Sequence, residues 1–153
     1  VSVRLDDAEV RDFLRRSHTG ILTTLRASGA PVSLPMWFVA LDELVYVQTP
    51  SRSMKVRRIR RDPRVAFLVE SGLRWAELKG VHLSGRAVLV DDPAERERVS
   101  AAMMEKYRSF RTARSRYPSA TLRHYSDERL TIRIEPRGRV LSWDNAKIRL
   151  KPS

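Results

Sequence analysis

Cysteine is absent from the 153 residues, which excludes disulfides, cysteine zinc sites, iron–sulfur clusters and a cysteine nucleophile. Long apolar runs are absent too. The longest, such as Leu34 to Leu41 and Leu44 to Val47, fall far short of the roughly 20 residues that a membrane-spanning helix needs. Val1 to Arg16 carries Asp6, Asp7, Glu9 and Asp12 and no continuous apolar core, so it does not read as a signal peptide. With only 6 Gly and 8 Pro beside 42% hydrophobic residues, the composition is that of a globular chain able to bury a core. Acidic residues are scarce relative to basic ones, 18 against 30, and the formal net charge is +12. Such a field draws anions, whether nucleic acid, an acidic membrane face or a phosphorylated or polycarboxylate small molecule. The expectation is a single domain over residues 1–153, cytoplasmic, with no membrane partner.

What is present alternates between helical and extended grammar. Asp6-Asp7-Ala8-Glu9 is a capping-box pattern ahead of the apolar stripe Val10, Phe13 and Leu14, so a short helix is predicted to end near Ser17 to Gly20. Ile21 to Leu25, a Ser28-Gly29 turn, Val32 to Ala40, an Asp42-Glu43 turn and Leu44 to Gln48 then read as a three-strand antiparallel meander. Thr49-Pro50-Ser51 breaks the pattern, and Arg52 to Arg61 reads as a basic helix stopped before Asp62-Pro63. Strands are predicted over Arg64 to Glu70 and over a long segment from Trp75 to Val90, with Gly85 marking a bulge or bend. Within that segment Val81, Leu83, Ala87 and Leu89 share one face and His82, Ser84 and Arg86 the other. Asp92-Pro93-Ala94-Glu95 caps a helix whose stripe is Val99, Met103, Tyr107 and Phe110. Leu130 to Glu135 reads as the final strand, followed by a tail from Arg139 to Pro152 that contains Trp143. Many short strands with a few inserted helices define a mainly β chain, a small antiparallel barrel with peripheral helices.

The strongest local signal for chemistry is the run from Thr49 to Arg64. It places hydroxyls and unpaired backbone N–H groups at a helix start beside Arg52 and Lys55, an arrangement that suits an anion such as phosphate. A solvated basic face around Val56 and Ile59 is the bland reading, and a nucleic-acid helix is the third, though no helix-turn-helix, zinc-finger or RNP-like pattern accompanies it. His18, His82 and His124 are scattered without ligand spacing, so no metal site is expected. No nucleophile elbow, P-loop or G-x-G-x-x-G occurs, and no catalytic residue is assigned. Hydride transfer places the difficult chemistry in a cofactor, which fits a chain without acid–base apparatus.

Gly20-Ile21-Leu22-Thr23-Thr24-Leu25, Pro35-Met36-Trp37-Phe38, Ser53-x-Lys55, Arg60-Arg61-Asp62-Pro63-Arg64-Val65, Glu77-Leu78-Lys79-Gly80-Val81 and Ser142-Trp143-Asp144-x-x-Lys147 follow one another in an order that resembles the pyridoxamine 5′-phosphate oxidase-like split β-barrel superfamily. The resemblance covers roughly residues 10–150 and is greatest to the flavin/deazaflavin oxidoreductase branch called class B. It implies an FMN-binding type of split antiparallel barrel, a homodimer, and two cofactors in grooves at the subunit interface. Coenzyme F420 is the first choice of cofactor and FMN the second, with hydride transfer to an electron-poor conjugated small molecule. Carried over by position, Ser53, Lys55 and Arg58 would meet the cofactor phosphate, with Thr49 and Arg60 nearby. Pro35, Met36 and Trp37 would border the ring, and Lys79, Gly80, Trp143 and Lys147 are further candidates contributed across the dimer. The Arg149-Leu150-Lys151-Pro152 ending only superficially echoes a true pyridoxamine 5′-phosphate oxidase, so that specific activity is not implied. The alternatives are a non-catalytic flavin, F420 or haem binder and a nucleic-acid-binding module; no specific nucleic acid is expected.

Overall fold

The Asp6 carboxylate accepts from the Glu9 N–H at 2.8 Å and the Glu9 carboxylate accepts from the Asp6 N–H at 2.8 Å, closing the capping box of α1 (Asp7–Arg16). The computed structural model in which this is seen describes residues 2–125, 128–149 and 151, without the Tyr125 side chain. Phe13 and Leu14 turn the buried face of α1 onto the sheet. The meander follows as β1 (Thr19–Leu25), β2 (Pro31–Leu41) and β3 (Leu44–Pro50). Asp42 and Glu43 both take positive φ, 49° and 65°, the left-handed pair that a two-residue hairpin turn requires. The remaining elements are α2 (Met54–Arg61), β4 (Arg64–Ser71), β5 (Lys79–Leu89), α3 (Pro93–Tyr107), α4 (Ser119–Tyr125), β6 (Arg129–Pro136) and β7 (Leu141–Asp144).

All seven strands belong to one sheet ordered β4-β1-β2-β3-β6-β5-β7, and the additional β4–β5 pairing closes six of them into an antiparallel barrel. Closure pairs β4 with β5, which an open sheet of these six strands would leave exposed, and β7 stays outside the ring on β5. Its interior is filled by Leu22, Phe38, Val45, Val47, Phe67, Val69, Val81, Leu83, Ile132 and Ile134. A second cluster outside the barrel wall, Val39, Tyr46, Val90, Val99, Met103 and Tyr107, seats α3. Polar contacts fix the same helix: the Tyr46 hydroxyl and the Arg133 guanidinium both donate to the Glu95 carboxylate at 2.8 Å.

That network sets an acid limit. The Arg133 hydrogen bond first, and then the Tyr46 hydroxyl, hold Glu95 below the usual carboxylate range. Arg64 holds Asp62 at about 2. A carboxylate lowered by folding adds stability above its unfolded pKa and loses it as pH falls through the folded value. Denaturant midpoints are therefore expected to stay level from pH 7 to 5 and to fall below about pH 4.5. Glu95→Gln is expected to remove part of that slope.

Four sequence readings are corrected. Trp75 to Glu77 is a 3-10 turn, not strand, because the Glu77 carboxylate turns back to accept from the Leu73 and Arg74 N–H groups at 3.4 and 3.2 Å. The long strand therefore starts at Lys79. Thr49 and Pro50 do not break the sheet but pair with Leu130 and Arg129. Arg139 onward is not a plain tail, since β7 pairs with Lys79 to His82 of β5, and β6 is thus not the last strand. Leu150 and Pro152, within the predicted tail, lie outside the described residues. The helix α4 had no counterpart in the sequence reading.

Gly85, read as a bend, sits where β5 crosses from β7 toward β6, and an added Cβ would run into the Glu135 carbonyl. A backbone atom within a strand cannot move aside as a side chain can. Gly85→Ala is expected to lower unfolding free energy by about 1–3 kcal/mol, measured by denaturant titration.

Candidate anion site

Beyond Phe38↔Val47 the strands β2 and β3 part, and Pro31 to Trp37 pair with β1 alone. The helix α2 begins at this end of the barrel. Ser53 is its N-cap, accepting from the Val56 N–H at 3.4 Å, and the Thr49 hydroxyl donates to the Ser53 hydroxyl at 3.2 Å. Val56 and Ile59 are buried, which leaves Lys55 and Arg58, one helical turn apart, half-buried on one flank. Arg57, Arg60 and Arg61 are exposed, and Arg61 donates to the Leu25 carbonyl at 2.9 Å.

The flank is an incomplete electrostatic arrangement. Burial lowers the Lys55 amine below its ordinary value, and the Arg58 and Arg129 cations lower it further. The Arg58 Nη1 atom is buried with no hydrogen-bond partner. Among the described residues no carboxylate pairs with either Lys55 or Arg58. A buried, unpartnered donor costs about 1–3 kcal/mol, more when charged, so the fold retains this group at a cost that an anion would offset. A phosphate fits the donor set: two hydroxyls, an ammonium and a guanidinium about a helix N-terminus.

The predicted residues fall into three groups. Thr49, Ser53, Lys55 and Arg58 come together at the start of α2, while Arg60 stands exposed on the other side of the Val56–Ile59 stripe. Pro35 is exposed on the stretch of β2 that pairs with β1 alone, and Met36 packs against the barrel core. Trp37 faces the opposite way, stacked at 4.3 Å on Tyr107 with the Arg111 guanidinium 5.8 Å from its ring. Lys79, Gly80, Trp143 and Lys147 form the third group. Lys79 pairs with Asp144 at 3.4 Å, and Lys147 donates to Glu9 at 2.6 Å and to the Arg4 carbonyl at 2.9 Å. The Trp143 ring covers Gly80, where any Cβ would collide with it. This group lies at the Ser71 end of β4, whereas α2 leads into its Arg64 end. One chain therefore does not bring the two groups together.

Arg129 was not read from the sequence. Its place is set by the β3–β6 register, which puts it opposite Pro50, and its Nη2 donates to the Gln48 carbonyl at 3.4 Å. Nothing in the local sequence separates it from any other arginine at a strand start. Among the described residues, no cluster of His, Asp and Glu is arranged to hold a metal ion, and no helix is long and apolar enough to cross a membrane.

A closed six-strand antiparallel barrel with a capped basic helix at the parting of its strands defines a split β-barrel, and the chain belongs to the pyridoxamine 5′-phosphate oxidase family, whose pattern it matches over residues 6–138. A crystal structure of the conserved hypothetical protein Rv2991 from Mycobacterium tuberculosis is 30% identical, with a TM-score of 0.79 over 99% of this chain and 94% of that one. The haem storage protein HutZ from Vibrio cholerae shares the fold at 19% identity, with a TM-score of 0.68 over 90% and 94% of the two chains. So does an F420 reductase at 23% identity, with a TM-score of 0.63 over 86% and 94%. No protein of curated function matches the sequence.

Proposed function

We propose that this chain is an oxidoreductase that holds a phosphate-bearing flavin-type cofactor, coenzyme F420 in the first place and FMN in the second, at the α2 site. The observation that carries this reading is the buried Arg58 Nη1, which has no hydrogen-bond partner among the described residues, beside a Lys55 that no described carboxylate pairs. An F420 reductase and the family to which the chain belongs support the choice of cofactor class. The groove is completed by a second copy in a homodimer, which would bring Lys79, Gly80, Trp143 or Lys147 of one chain toward the α2 site of the other.

When bound, such a cofactor supplies the hydride for an electron-poor conjugated acceptor. The chain's own residues do the holding. Lys55 and Arg58 neutralise the phosphate, the Thr49 and Ser53 hydroxyls orient it, and Pro35 and Met36 supply an apolar border along the stretch of β2 that has parted from β3. The final proton comes from solvent.

Turnover distinguishes this from a carrier. Purified protein with reduced F420, or separately with reduced FMN, is expected to oxidise the cofactor only when a quinone or enone is added. Binding without acceptor-dependent oxidation would assign a storage role, the role named for HutZ.

A further inference from the structure

Lys106, the penultimate residue of α3, belongs to no part of the anion site. Its ammonium donates to the Phe38 carbonyl at 2.9 Å and stands 4.1 Å from the Phe38 ring centre and 5.4 Å from that of Tyr107. Among the described residues it has no carboxylate partner, because the neighbouring Glu105 is engaged by Arg108 at 2.7 Å. Beside it opens a cavity of about 300 Å³ with an apolar floor of Val39, Ala40, Leu41 and Ala102 and with Arg15 and Glu105 at its rim. Arg15 is itself held by Asp12 at 2.8 Å. Lys106 thus combines one acceptor, no carboxylate partner among the described residues and an apolar pocket alongside that has room for an acyl group.

We propose that Lys106 is an acylation site, taking a short acyl group from a thioester and seating it on the Val39–Ala102 floor. The Nζ lone pair attacks the thioester carbonyl, the N–C bond forms, the C–S bond breaks and the thiolate leaves with its electron pair. The nitrogen proton passes to solvent or to the departing thiolate. The product amide keeps one N–H to donate to the Phe38 carbonyl, so the contact that anchors the side chain survives. Burial lowers the Lys106 amine to about 8, so a larger share of it is the free amine near neutral pH than in an exposed lysine. Lys79 and Lys147, by contrast, are each paired with a carboxylate, Asp144 and Glu9. The lower basicity weakens each free amine as a nucleophile and offsets part of this gain.

The test uses the neutral probe S-acetyl-N-acetylcysteamine, which the cationic α2 site does not concentrate. The chain has five lysines, Lys55, Lys79, Lys106, Lys147 and Lys151, so peptide mass spectrometry reads each rate separately. Lys106 is expected to acetylate at least about tenfold faster than Lys79 and Lys147 and faster than Lys55 and Lys151. That advantage is expected to vanish in the urea-unfolded chain. Ala102→Phe, which fills the floor, is expected to slow Lys106 about fivefold or more and leave the other four unchanged. Equal rates at Lys106 and Lys151 in the folded protein, or the same Lys106 advantage after unfolding, would overturn the proposal. Both comparisons use the unaltered chain, so they stand even where Ala102→Phe does not fold.

Discussion

Lys55→Ala is expected to weaken binding of F420 or FMN by about 1.5–3 kcal/mol, roughly 10- to 150-fold, the usual range for one charge-assisted contact. The physical ground is the state of the site without its anion. Lys55 and Arg58 repel each other on one flank of α2, and the Arg58 Nη1 is buried without an acceptor. An anion relieves both. Arg58→Met gives the complementary signature, because it keeps an apolar stem against the helix and deletes the unsatisfied donor. The ligand-free variant is expected to be as stable as the parent or more stable by up to about 1 kcal/mol, while its affinity for the cofactor falls. A residue kept only for structure would show the reverse, losing stability with no change in binding. Isothermal titration and denaturant unfolding of the same samples separate the two.

Tyr107→Phe is expected to lower unfolding free energy by about 1.5–3 kcal/mol. The side chain is fully buried, and one hydroxyl serves three backbone groups where β1 has parted from β2. It accepts from the Phe38 N–H at 2.9 Å and reaches the Phe38 and His18 carbonyls at 2.8 and 2.7 Å. Without it the Phe38 N–H loses that partner in the interior, while the Phe38 carbonyl keeps Lys106. The ring remains to stack on Trp37, so near-ultraviolet circular dichroism should be retained and the loss can be assigned to the hydroxyl. An unchanged midpoint would show that the Phe38 N–H finds another acceptor.

The parts of this fold that were legible are those decided by neighbours in the chain. Asp6-x-x-Glu9 and Asp92-Pro93 cap their helices through bonds spanning two or three residues, and Asp42-Glu43 makes its turn alone. Alternation along β5 was equally plain, since Val81, Leu83 and Ala87 are buried while Ser84 and Arg86 are exposed. What escaped is set by distant partners. Leu141 to Asp144 is too short to declare itself a strand and becomes one by pairing with Lys79 to His82. Trp75 to Glu77 looked extended because nothing in its composition announces the Glu77 carboxylate turning back on Leu73 and Arg74. The candidate site divides in the same way. Ser53 and Lys55 stood out through the helix start, but Arg129 joins them only through a register between strands some 80 residues apart.

The claim that the α2 flank is an anion-binding site for a phosphate-bearing cofactor is tested most directly by equilibrium titration of cofactor-free protein with F420 and with FMN. Parent and Arg58→Met are compared at two salt concentrations. The account predicts saturable binding of one of them by the parent, weakening as salt rises, and weaker still by about tenfold or more in Arg58→Met. Binding of neither, or binding that Arg58→Met leaves unchanged, would contradict it.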